Sequence, residues 1–228
     1  MASLLAELLA GNRAHVAAVR DRFEGLEHAQ HPEAVTVTCS DSRVLGDHIW
    51  GNDELGRLFT VGNIGNRVVQ RTAAGEVVSG DVLYPLTHTG TELAVVVGHT
   101  GCGAVTAAYG ALTGGVDEPP GIQHCIDLLA PHLEAGVEAL PAGLGRAAAI
   151  NHLVEYNVDR QVEFLCDSDD VPDSVDVAGV VYDFQGAYDG PQGGVHVVNV
   201  GGEHDPATLR EAHPDIAEWV ERRWSPAG

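Results

Sequence analysis

The sequence predicts an α/β fold. The expected architecture is a mostly parallel central β-sheet, four parallel strands plus a fifth antiparallel edge strand, flanked by α-helices and preceded by an N-terminal helical arm. Three observations lead there. Short β-branched runs alternate with longer stretches of helical periodicity, the pattern of strands joined by crossover helices. Glu92-Leu-Ala-Val-Val-Val97 is an unbroken apolar run, as in a parallel strand covered on both faces. The last two β-rich runs are separated by a Gly-rich turn, which pairs them back on each other.

The elements follow in order. Residues 3 to about 29 carry helical periodicity, with breaks expected near Gly11-Asn12 and Gly25. Ala34-Val-Thr-Val-Thr-Cys39 reads as a strand, ending directly in Ser40-Asp-Ser-Arg43. Arg57-Leu-Phe-Thr-Val61 is a second, running into Gly62-Asn-Ile-Gly-Asn66. Residues 72–90 mix small and apolar residues; Asp81 is a candidate helix cap, and Pro85 fits a first helical turn best. After the strand at 92–97 comes Gly98-His-Thr-Gly-Cys-Gly103, then an Ala-rich helix and a Gly/Pro-rich loop over 112–121. Helices are expected at about 122–136 and 143–167, an acidic break at Asp167–Asp173, and paired strands at 177–184 and 195–200. A final helix is expected around 207–223. No repeat or linker divides the chain. The expectation is one domain over 1–228: a helical arm (1–30), an α/β core (31–200) and an acidic helix and tail (201–228).

Charge narrows the partners. The 228 residues carry 33 acidic and 12 basic side chains, and every basic one is arginine. Such a surface repels nucleic acid and anionic membranes, so neither is an expected partner. Like-charge repulsion weakens the compact state in dilute salt, whereas at about 1 M salt the screening length falls to about 3 Å. Acidic groups also favour solubility more than lysine does. The composition therefore suits a salt-rich, halophilic cytoplasm. A cytoplasmic site also fits the absence of a basic leader and of any apolar run of membrane-spanning length. In a reduced cytoplasm the four cysteines, Cys39, Cys102, Cys125 and Cys166, are free thiols or metal thiolates.

In a parallel sheet, ligands gather beyond the carboxyl ends of the strands. One such end delivers Cys39; another delivers His99 and Cys102 in a turn whose glycines at 98, 101 and 103 let it bend. Two thiolates and an imidazole suit tetrahedral zinc, one ion per chain. Three protein ligands leave a fourth position for water, the catalytic pattern. Beside them, Asp41 and Arg43 are spaced to pair through the planar guanidinium, which keeps the carboxylate ionised and oriented. Cys125 and Cys166 lack such partners and read as buried thiols. His88 and His124 read as surface or capping residues.

Cys39-Ser-Asp-Ser-Arg43 followed by Gly98-His-Thr-Gly-Cys102 resembles the β-class carbonic anhydrase signature. The resemblance implies a zinc enzyme, dimeric or a dimer of dimers, that hydrates carbon dioxide reversibly to bicarbonate. It implies attack by zinc-bound hydroxide oriented by the Asp41–Arg43 dyad. It further places Gln30, Val44, Phe59, Ile64 and Tyr84 in a substrate pocket built across the dimer interface. The glutamine, phenylalanine, aliphatic and tyrosine positions match the plant-type subgroup. The bicarbonate-inhibited bacterial subgroup has a tryptophan three residues before the first cysteine, where this chain has Thr36. One departure is plain: the family's Arg-Asn-x-x-Asn is here Gly62-Asn-Ile-Gly-Asn66, with Arg67 nearby as a candidate substitute. Two charged thiolates would lift the bound water's pKa above the ~7 of histidine-ligated zinc, so activity should rise on the alkaline side. Carbon disulfide or carbonyl sulfide hydrolysis on the same site is a same-family alternative. A non-catalytic zinc or bicarbonate-binding module is the alternative of another class.

Overall fold

A computed structural model of the chain describes residues 2–224. Helix α1 (Ala2–Val19) runs through Gly11 without the expected break. One glycine in a helix costs about 1 kcal/mol, too little to interrupt a run rich in alanine and leucine. The helix stands clear of the core: Leu4, Leu5, Leu8 and Leu9 are each more than half exposed, and Val19 is its first buried side chain.

Five strands form the central sheet: β1 (Ala34–Cys39), β2 (Leu58–Asn63), β5 (Leu93–His99), β6 (Asp176–Asp183) and β7 (Gly194–Val200). Their order is β2-β1-β5-β6-β7; the first four are parallel, and β7 lies antiparallel on the edge with a bulge between Gly179 and Val180. This is the expected sheet. The expectation missed a hairpin, β3 (Val69–Thr72) with β4 (Gly75–Val78), whose strands of four residues carry too little periodicity to be read.

The first crossover helix is α2 (Gly80–His88). Ser79, not Asp81, caps it, its hydroxyl accepting from the Asp81 N–H at 3.4 Å. Pro85 consequently sits inside the helix rather than in its first turn, where its buried ring adds to the core. Helices α3 (Gly103–Thr113), α4 (Pro120–Glu138) and α5 (Arg146–Cys166) lie where expected. The last helix, α6 (Pro206–Ala212), is shorter than expected. Pro214 disfavours helical backbone at His213, whose ψ of 70° ends the helix.

The main core fills the space between one sheet face and α2 to α5, with Val35, Val37, Val96 and Val181 meeting Val82, Leu129, Leu133, Leu153 and Val158. The other face carries only a small cluster, Val95, Val97 and Val180 with Ile49, Tyr182, Val195 and Val197. A groove of about 460 Å³ opens there between Trp50 and Trp219. Cys166 ends α5 in an exposed position and Cys125 is half-exposed on α4, so neither is the fully buried thiol expected. His88 and His124 are exposed, as read.

Helix α5 also binds the C-terminal segment. Fully buried Glu155 accepts hydrogen bonds from the Tyr188 hydroxyl at 2.5 Å and from the backbone N–H groups of Arg223 and Trp224 at 2.6 and 2.5 Å. The nearly buried Arg222 guanidinium grips Asp159 one turn further on. Among the described residues, no helix is long and apolar enough to cross a membrane.

Candidate metal centre

Strands β1 and β5 are parallel neighbours, so their carboxyl ends emerge side by side. Cys39 is the last residue of β1 and His99 the last of β5; Cys102 is the N-cap of α3. All three are buried, and their sulfur and nitrogen atoms lie within 4.8 Å of one another. Among the described residues this is the one cluster of its kind.

The turn between His99 and Cys102 is tightly specified. Gly101 has φ +63°, in the left-handed region, and a Cβ there would lie 2.3 Å from the Gln185 amide. Gly98 is needed for another reason: its missing side chain lets β5 rest on Val154 and Val158 of α5. Gly103 meets neither condition, so of the three glycines expected to let the turn bend, only Gly101 has the left-handed backbone that requires one. The Gly101 N–H donates to Asn151 of α5 at 2.8 Å, pinning the turn. Gly101→Ala is expected to cost about 1–2 kcal/mol from the left-handed backbone alone, and to weaken metal retention as Gln185 is displaced. Thermal unfolding and metal titration of the variant check this.

His99 is set up as a ligand. Its Nδ1 lies 3.0 Å from the Thr100 carbonyl. A carbonyl only accepts, so Nδ1 carries the proton and Nε2 presents its lone pair. That Nε2 is buried without a hydrogen-bond partner, an expense a protein avoids unless something binds there. The two thiols shift each other's pKa in opposite directions. A hydrogen bond from Cys102 pulls the Cys39 pKa down against its burial, helped by His99 and the Gly65 backbone. Cys102 is pushed up by Cys39 and by burial, against the N–H groups of Val105 and Ala104. The Cys39 thiol, held low, thus lies beside an orphaned imidazole nitrogen. This donor set fits a divalent ion of zinc type.

Asp41 and Arg43 pair as their spacing predicts. Arg43 Nε and Nη2 meet the two Asp41 oxygens at 2.8 and 2.7 Å, and the Arg43 N–H adds a contact at 3.0 Å. The Arg43 hydrogen bonds hold the Asp41 carboxyl well below the usual carboxylate range, against some desolvation. Asp41 lies 3.9 Å from His99 Nε2. Arg43 in turn stacks 4.2 Å above the Phe184 ring, and that ring lies 5.5 Å from the imidazole of His99.

The pocket candidates are less gathered. Val44 is buried beside the dyad. Phe59 on β2 is half-buried, with Tyr84 of α2 at 6.3 Å between ring centres. Tyr84 and Ile64 are about half exposed, and Gln30 is exposed in the segment before β1. Gly62 leaves room beside Ser40, 3.4 Å from where a Cβ would stand. Arg67 donates to the Ile64 carbonyl at 2.9 Å and faces Cys125 at 3.7 Å.

Sequence reading missed the groups that hold these loops. Asn151 secures Gly101, Asn157 donates to the Gly65 carbonyl, and Gln161 accepts from the Val68 N–H. Amides on a helix leave no mark of such a role in one sequence. Asp183 and Phe184 did leave one: they stand at the carboxyl end of strand β6, the neighbour of β5, where the strand-end rule also points.

The fold and the donor set define a class: an α/β protein with a buried Cys-His-Cys cluster, able to hold a metal ion, at its sheet's carboxyl edge. The family model described as carbonic anhydrase matches residues 34–188, and the chain belongs to that family, in its β class. It is 32% identical to carbonic anhydrase 2 of Mycobacterium tuberculosis over 128 residues, 56% of this chain and 58% of that one. The chain thus spans somewhat over half the length of that relative. It is 32% identical to the carbonic anhydrase of Mycolicibacterium smegmatis over 156 residues, 68% of each. The β-carbonic anhydrase CcaA superposes with a TM-score of 0.69 at 25% identity, over 87% of each chain. The tetrameric β-carbonic anhydrases of Sordaria macrospora share the fold at a TM-score of 0.69 and 22% identity, over 87% of this chain and 98% of that one.

Proposed function

We propose that this chain is a zinc carbonic anhydrase that hydrates carbon dioxide reversibly to bicarbonate and a proton. The observation that carries the reading is the unpartnered, buried His99 Nε2 facing two cysteine sulfurs, with the Asp41–Arg43 pair beside it. The named relatives, all carbonic anhydrases, support the substrate.

Cys39, His99 and Cys102 would hold the ion. Zinc in such a set acidifies water toward a pKa of about 7 and supplies Lewis-acid chemistry. The Thr100 carbonyl keeps His99 in the ligating tautomer. Asp41, ionised and acceptor-only, takes a hydrogen bond from the attacking water or hydroxyl and turns its lone pair toward carbon dioxide. Arg43 occupies both Asp41 oxygens, so the carboxylate is held as an orienting group and not offered as a fourth ligand. Val44, Phe59, Ile64 and Tyr84 form an apolar wall for the uncharged substrate, and the Gln30 amide donates to a substrate oxygen. The four matching pocket positions and Thr36 favour the plant-type subgroup.

The working unit is a homodimer or a dimer of dimers. Three features support it: the exposed leucines of α1, the apolar groove between Trp50 and Trp219, and pocket residues left open on the single chain. The tetrameric Sordaria proteins are a precedent. The charge of −21 favours a salt-rich, cytoplasmic setting, with the arm, core and tail acting as one domain.

Isotope exchange between carbon dioxide and water by the purified chain, with metal analysis of the same sample, tests the reading. In about 2–4 M salt, zinc near one per chain and rapid exchange are expected. In dilute buffer, where screening reaches about 10 Å or more, the oligomer should loosen and exchange should slow. Zinc-loaded protein without exchange in strong salt would overturn the activity. Sedimentation unchanged in dilute buffer would overturn the salt dependence.

A further inference from the structure

Four hydrogen bonds converge on one carboxylate that does not touch the metal-ligand set. Asp183, at the end of β6, is 2% exposed. Its Oδ1 accepts from the Thr100 hydroxyl at 3.0 Å and from the N–H groups of Gln185 and Gly186 at 2.9 and 3.0 Å. Its Oδ2 accepts from the Tyr188 N–H at 2.9 Å. The Thr100 hydroxyl also accepts from the Phe184 N–H at 3.2 Å. Thr100 is the residue whose carbonyl fixes the His99 tautomer, and Phe184 is the ring packed against both His99 and Arg43.

We propose that Asp183 is a positioning residue of the metal centre, acting through Thr100 on the His99 ring and through the 184–188 loop on Phe184. It ties together the two parts of the chain flanking His99, the turn after β5 and the loop after β6. Thr100 supplies the acceptor that orients the imidazole; Phe184 supplies the surface that stops the imidazole and the Arg43 guanidinium from swinging. With Asp183 in place, both are fixed before any ion arrives, and binding need not pay for ordering the histidine. Burial alone would raise the carboxyl, yet the N–H donors and Thr100 outweigh it and keep Asp183 in the charged form that can accept all four bonds. Asn151 reinforces the same arrangement from α5, bonding Gly101 on one side and Gln185 on the other.

The inference rests on reading Cys39, His99 and Cys102 as a metal site, and cobalt(II) alone probes both. Asp183→Asn turns one acceptor oxygen into a donor facing a donor. Thr100→Val removes the hydroxyl and keeps the shape; Thr100→Ser keeps the hydroxyl. Wild type is expected to bind cobalt(II) with the intense visible bands of a tetrahedral thiolate site. Asp183→Asn and Thr100→Val should shift those bands and release cobalt to a chelator about 10-fold to 100-fold faster, while Thr100→Ser behaves as wild type. Wild-type spectra and release rates in the first two variants, with only a lower unfolding temperature, would overturn the proposal and leave Asp183 a loop anchor. Should Asp183→Asn fail to fold, Thr100→Val against Thr100→Ser decides alone. A wild-type chain that takes up no cobalt overturns the site reading itself, a result distinct from unaltered variants.

Discussion

Replacing Cys102 by alanine is expected to give a folded chain that holds no zinc and hydrates carbon dioxide no faster than buffer. Cys102 sits 1% exposed at the start of α3, where the backbone N–H groups of Ala104 and Val105 face its sulfur. Removing one small buried group costs about 1 kcal/mol, which a domain with this core can bear. Removing the sulfur does more. It takes away one of three donors, and it takes from Cys39 the hydrogen bond that contributes most to lowering its pKa. Cys39 is then less ready to bind an ion, because thiolates and not thiols bind zinc, and His99 is left without the second sulfur. Metal analysis and isotope exchange on the same sample check this; catalysis persisting in zinc-free Cys102→Ala would refute the zinc reading.

Asp41→Asn is expected to slow hydration by about 10²-fold or more while zinc stays bound. The asparagine can still accept from Arg43 with one atom, but its amide nitrogen then confronts the second guanidinium nitrogen, now 2.7 Å from a carboxylate oxygen. The acceptor-only character that orients the attacking oxygen is lost, and the three metal donors are untouched. Full activity in Asp41→Asn would assign the pair a structural role only. The pair also has a pH signature in stability. The folded-state pKa of Asp41 lies below its unfolded value of about 4. Its contribution is therefore present above pH ~4 and is lost as pH falls through the folded value. Since Arg43 is more than half exposed, solvent screening keeps that contribution small.

Much of this was written in the sequence, for physical reasons that differ from part to part. Strands β1 and β5 are buried on both faces, so they are built of apolar and β-branched residues, Thr36 and Thr38 among them, and their ends are marked by the residues that do chemistry. Cys39, Asp41, Arg43, His99 and Cys102 all stand at those ends. The β3–β4 hairpin was not legible, because four-residue strands show no period. The shortness of α6 was legible only through Pro214, whose effect on His213 a periodicity reading overrides. The polar residues on α5 were invisible for a deeper reason: Asn151, Asn157 and Gln161 satisfy backbone groups 50 to more than 90 positions away, and no local pattern encodes such a pairing. The pocket residues Gln30, Ile64 and Tyr84 came from resemblance alone, and on one chain they face outward.

The grip of α5 on residues 222–224 bears on how the protein is made. Synthesis runs from the N-terminus, so the sheet's parallel strands emerge before the segment that supplies two of the three donors to Glu155. Until Trp224 has left the ribosome, the nascent domain carries a carboxylate it can bury only at a loss, together with an unfilled seat for an indole ring. Closure of the domain thereby waits on residues 222–224, which act as its latch.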